Sequence, residues 1–189
     1  MTLELSEMAL SVTEDSSIPV QTDEDHLVAE LELLGIAYLS RHRPTPVDSV
    51  RAPHELLSDL IRQPSARVRG AIIAVLLLHP ELANAIPAAM SRLSQADQLT
   101  LRVFYTASVI LQAKYAPRLQ LNATSTQPLP DLFSLELGLL RSGSPSEQLA
   151  ALGRIHRRLS GSAVNWVGTY DNVAQHLMNR LERERLWNL

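Results

Sequence analysis

The chain has 189 residues and a mass of 20.9 kDa, enough for one domain with a sizeable core. Apolar residues make up 46% and charged residues 20%, with mean hydropathy near zero, a net charge of −3 and a pI near 6.1. That is a globular composition, and its bulk charge gives no argument for a nucleic-acid or membrane partner. The absence of cysteine excludes disulfides, Cys-ligated zinc and thiol catalysis.

The first 32 residues carry nine Asp or Glu and no Lys or Arg, the opposite of a signal or transit peptide, so none is expected. Residues 1–22 read as an acidic, mobile tail: Leu3 to Val12 has short-helix character and Thr13 to Gln21, broken by Pro19, reads as a linker. Residues 23–189 are predicted to form one all-helical domain.

In chain order, Asp23 or Asp25 caps a first helix whose apolar stripe runs through Leu27, Leu31, Leu34 and Tyr38, with Arg41, His42 and Arg43 in its last turn before Pro44. Pro53 opens a second helix bearing Leu56, Leu57, Leu60 and Ile61. After Pro64 and Ser65, the run Gly70 to Leu78 is apolar on every side, which predicts the buried central helix of the domain. A buried strand is the competing reading of its β-branched residues, but the alanines and the unbroken length favour helix. This run is also far shorter than the roughly 18–20 residues a membrane span needs. The stretch Leu56 to Leu82 resembles one HEAT-type helical hairpin, carried by Pro64, Val68, Arg69 and the Leu-rich second helix; the likeness covers a small part of the chain and assigns no family.

Pro80 opens another helical segment that Pro87 divides. The longest helix is predicted from about Gln95 to Tyr115, with Leu99, Val103, Ala107, Ile110 and Leu111 inward, followed by a loop over Pro117 to Pro130. Asp131 is predicted to cap a helix bearing Leu132, Phe133, Leu135, Leu137 and Leu140. Ser144 and Glu147 form a capping box for the next, and Asp171 caps the last. The fold class is therefore all-α, a single irregular bundle of seven or eight helices joined by short Pro-marked turns.

Chemistry-bearing motifs are few. The six histidines show no metal-ligand spacing, no Gly-x-Ser-x-Gly elbow occurs, and the seven glycines are scattered singly. No catalytic residue, metal or cofactor is assigned. Charge is more informative: beyond residue 32 there are 17 bases against 11 acids, and all bases except Lys114 are Arg. Arg43 and Arg51 on one loop, and Arg154, Arg157 and Arg158 on a helix end, are the candidate phosphate contacts. Proteome-wide Arg bias is the plainer reading. With aromatics at 4%, Trp166, Tyr170 and Trp187 stand out as candidate protein-interface anchors, against a core-plugging reading that applies to all three.

These features point to a cytoplasmic, non-enzymatic helical protein that binds another protein, as an adaptor, a regulator or an antitoxin-like partner. The alternative is Arg-mediated nucleic-acid binding, which would place its arginines on one face. A third reading is an enzyme with a dispersed site, which would show a pocket with converging polar groups. No membrane partner is expected. The acidic tail is also a candidate internal competitor for the basic surface.

Overall fold

A computed structural model of the chain describes residues 20–39, 47–122, 127–161 and 166–187. Those residues are all-helical, with no strand among them. In order they form α1 (Val20–Leu33), α2 (Pro53–Arg62), α3 (Ala66–Leu78), α4 (Ile86–Met90), α5 (Gln95–Lys114), α6 (Ala116–Asn122), α7 (Ser134–Leu137), α8 (Pro145–Ser160) and α9 (Val167–Trp187), with 3-10 turns at Ala37–Leu39 and Pro80–Ala85.

Helix α3 is the centre. Every residue from Gly70 to Leu78 is buried, and α2, α5, α9, α1 and the Pro80–Ala85 turn pack around it. Gly70 lets α9 approach: a β-carbon there would lie 3.2 Å from Val173 Cγ2. Ser65 caps α3 by accepting from the Val68 N–H, and Pro53 sits in the first turn of α2, where its missing N–H costs nothing. The α2–α3 pair is the hairpin whose sequence resembles a HEAT unit.

Helix α5 is more deeply placed than its sequence predicts. Val103 to Leu111 is buried on all sides, and the hydroxyls of Thr106 and Ser108 donate back to the carbonyls of Arg102 and Phe104. Those internal bonds let polar side chains occupy core positions. Its outer side is covered chiefly by α8, whose Ser144–Glu147 capping box forms as predicted.

Four expectations are corrected. The first helix stops at Leu33, because Gly35 takes a left-handed turn (φ +79) and the Ile36 N–H closes on the Leu31 carbonyl, turning the chain so that Ile36 and Leu39 enter the core. That helix also starts at Val20, inside the predicted tail. The predicted loop after Pro117 begins instead as α6, with Pro117 tolerated in the first helical turn. The helix predicted over Asp131 to Leu140 is a single turn, ended by Gly138 at φ +69. Asp171 is not a cap but lies a turn inside α9, accepting from Lys114 Nζ at 2.7 Å and Tyr115 Oη at 3.0 Å. The tail expectation for residues 1–19, and Arg41, His42 and Arg43, lie outside the described residues.

The loop entering α2 is fastened by Arg51. Its guanidinium bonds both Glu30 oxygens and Asp59 Oδ2 (2.6 Å), while its backbone N–H donates to Glu30 Oε2. Partial burial works against the Arg51 charge, but hydrogen bonds and Coulomb attraction from Glu30 and Asp59 outweigh it and hold its pKa above the ordinary value. Removing it strands the nearly buried Glu30 carboxylate. Arg51→Ala is expected to cost about 2–4 kcal/mol, the lower side of breaking a buried pair because Arg51 and Asp59 are partly exposed. Urea unfolding checks this: the midpoint should fall at unchanged slope, and an unchanged midpoint would contradict the clip.

Candidate interaction surface

Residues 127–141 cross the outer side of α5 as an irregular strap. Gln112 grips its start, donating to the Gln127 carbonyl (3.0 Å) and accepting from the Leu129 N–H (2.8 Å). Tyr105 Oη donates to the Pro130 carbonyl at 2.8 Å, and burial pushes that hydroxyl up to about 12, so it stays a donor. Phe133 packs edge-on against the Tyr105 ring, with centroids 5.5 Å apart. Asp131 accepts from the Ser134 N–H and from Arg141.

Six leucines lie between positions 129 and 140, and the strap divides them evenly. Leu129, Leu137 and Leu139 are buried, whereas Leu132, Leu135 and Leu140 are 45%, 95% and 80% exposed. The exposed three stand on a backbone fixed by the contacts above. The sequence places Leu132, Leu135 and Leu140 on one helix with Leu137 and does not mark them as surface residues. The available signal was the crowding itself: six leucines with Gly138 among them exceed what one short helix face can bury.

Beside the strap, a groove of about 440 Å³ separates Leu139 and Leu140 from α8. Its α8 bank carries Ala151 and Ile155, and Leu159, exposed, continues that stripe at the same four-residue interval. Arg154 borders the groove, and Arg157 and Arg158, three and four residues further on, are exposed on the same outer face of α8. The proposed phosphate contacts thus do not form one cluster. Arg51 is consumed by Glu30 and Asp59, Arg43 lies outside the described residues, and only Arg154, Arg157 and Arg158 share a face.

The aromatic corner is also corrected. Tyr170 is fully buried and offers no surface: its hydroxyl lies 2.7 Å from His156 Nδ1, and its ring meets Phe104 edge-on at 5.3 Å. Trp166 is half-buried against Phe104 and His156, with the Arg69 guanidinium 5.8 Å from its ring centre. Trp187 is 88% exposed at the end of α9, beside exposed Leu186. Of the three aromatic anchors, it alone presents an open side chain.

Among the described residues no group of three His, Asp or Glu is placed to hold a metal ion, and no single helix is long and apolar enough to cross a membrane. Two further open grooves, of about 420 Å³ between α5, α6 and the strap and about 390 Å³ between α3 and α9, are lined by neither His156 nor Tyr170. No protein-family model matches the chain, and no curated protein or solved structure matches it.

Burial raises the Tyr170 pKa, so its hydroxyl keeps its proton and shares a hydrogen bond with His156 Nδ1. Burial first, then the Arg69 charge, lowers the His156 pKa. Tyr170→Phe leaves that nitrogen unpaired and is expected to cost about 1–3 kcal/mol. His156 also sets a pH dependence. The unfolded chain takes up its proton near the ordinary value of 6.5, whereas the folded chain resists it. The stabilising contribution is complete above that value and lost as pH falls through it toward the lower folded pKa. Urea midpoints measured across this range should decline for the wild type and decline less for His156→Gln; equal slopes would contradict the assignment.

Proposed function

We propose that this chain works by binding another protein, with the strap at residues 129–140 as its contact. The observation that carries this reading is Leu135 and Leu140, exposed to 95% and 80% on a backbone tied down by Gln112, Tyr105 and Asp131. Exposed apolar side chains on a fixed backbone lose little conformational entropy when covered, which favours recognition. Trp187 and Leu186 on α9 supply a second exposed apolar pair. The reading leaves open whether the chain serves as adaptor, regulator or antitoxin-like partner.

Nucleic-acid binding is the second reading, favoured by the exposed Arg154 and Arg158 pair, and it requires an affinity that falls steeply with salt.

Purification of the tagged chain from its native host, beside Leu135→Glu/Leu140→Ser, tests the first reading. Both leucines make few internal contacts, so the double variant should unfold within about 0.5 kcal/mol of wild type. A stoichiometric protein retained by the wild type through a high-salt wash and lost from the variant is the expected outcome. An unaccompanied chain, a partner held equally by both, or nucleic acid released by salt would each contradict it.

A further inference from the structure

Most cations of this fold are matched among the described residues, although near the end of α9 Arg183 bonds only the Asn179 carbonyl and exposed Arg185 forms no ion pair among them. Arg51 and Arg62 pair with Asp59, Arg92 with Glu55, Arg102 with Glu136, Lys114 with Asp171, Arg118 with Glu182, Arg141 with Asp131 and Arg180 with Glu184. Arg67 and Arg69 are spent on backbone carbonyls. On α8 the pattern breaks. Arg154, Arg157 and Arg158 are exposed and have no ion-pair partner among the described residues. Arg154 borders the groove of about 440 Å³, whose floor is Leu140, Ala151 and Ile155. The one acid on that groove, Glu147, is committed to the α8 cap, accepting from the Ser144 N–H and hydroxyl. An occupant must therefore bring both apolar side chains and uncompensated negative charge.

The same chain carries such a segment. Residues 1–19 hold Leu3, Leu5, Met8 and Leu10 interleaved with Glu4 and Glu7, then Glu14 and Asp15, and no Lys or Arg. Nineteen extended residues reach about 60 Å. A domain of this size has a radius of gyration near 15 Å. The segment preceding Val20 can therefore reach any face. We propose that residues 1–19 dock in cis in the groove between α8 and residues 138–143, with Glu4 and Glu7 against Arg154 and Arg158 and the intervening apolar side chains on Leu140, Ala151 and Ile155. The contact covers part of the apolar surface and shields the basic face until a competitor displaces it. It shares Leu140 with the partner surface proposed above, but its test involves this chain alone and so can fail without that reading failing.

The chain has no cysteine, so Ser6→Cys places a single nitroxide label in the full-length protein. Paramagnetic broadening of backbone amides in the 15N-labelled chain then reports what residue 6 approaches. The amides of residues 148–159 should lose most of their intensity relative to the reduced label. Arg154→Glu/Arg158→Glu, both exposed positions, should restore that intensity, and adding Glu4→Arg/Glu7→Arg should abolish it again. Unshifted amides elsewhere verify that each variant stays folded. Broadening absent from α8, centred on another face, or indifferent to the charge reversal would overturn the proposal. So would broadening that appears equally when labelled and 15N-enriched chains are mixed, since the contact would then be with a second copy.

Discussion

The arrangement depends on one constraint: α3 is apolar around its whole circumference and must be covered from every side. A stripe-faced helix can rest on a surface, but α3 has to be a centre. Helices α2, α5, α9 and α1 and the turn after Pro80 satisfy that demand. Gly70 makes it possible for α9 to come close enough. Covering α3 in turn buries one side of α5, whose other side then needs α8 and the strap at residues 127–141. The exposed leucines are the outermost consequence of this layering, because the strap docks through Leu129, Leu137 and Leu139 and has nowhere inward to send the other three.

Charges in this fold serve mainly to hold connections rather than to make a basic surface. Arg51 ties the loop before α2 to α1 and α2, Arg67 reaches the Leu39 carbonyl, Arg69 bonds the carbonyls of Gln63 and Pro64, and a ring nitrogen of His79 meets the Leu34 carbonyl. Irregular connections pressed against an apolar centre leave backbone carbonyls without water, and long guanidinium side chains satisfy them. The Arg-rich composition thus has a structural use at many positions. Against that use, the ends of α8 and α9 carry arginines without ion pairs among the described residues, and only those of α8 adjoin the groove of about 440 Å³.

The helices were legible in the sequence wherever periodicity and punctuation agreed. Pro53, Ser65, Pro80 and Ser144 mark real starts, and the all-apolar run through Leu78 identifies the central helix. The failures share a cause. Gly35 and Gly138 end helices through left-handed turns, yet each lies within an apolar pattern that continues past it in the sequence, so periodicity alone runs the helix through the glycine. The depth of α5 was hidden by Thr106 and Ser108, whose hydroxyls are satisfied within the helix. Site residues were harder still. Tyr170 and Trp166 stood out by rarity, but rarity does not separate core from surface, and the pairing of Tyr170 with His156 is between side chains fourteen positions apart. Arg51 could not be told from a free arginine, because its partners Glu30 and Asp59 meet it only in the fold. Nothing in the sequence separates exposed Leu135 and Leu140 from buried Leu137 and Leu139, because leucine is most often buried.

The central claim is that the strap is held rigid by α5, so that its outward leucines are a preformed surface and not a loose segment. Native-state hydrogen exchange at the strap amides tests it most directly. The Leu129 N–H bonds Gln112 Oε1, and the Leu137 and Leu139 N–H groups bond the carbonyls of Phe133 and Ser134. These three amides should exchange far more slowly than in an unstructured peptide. Exchange of all three at the unprotected rate would mean that the strap opens freely, and the surface proposed here would not exist as a fixed one.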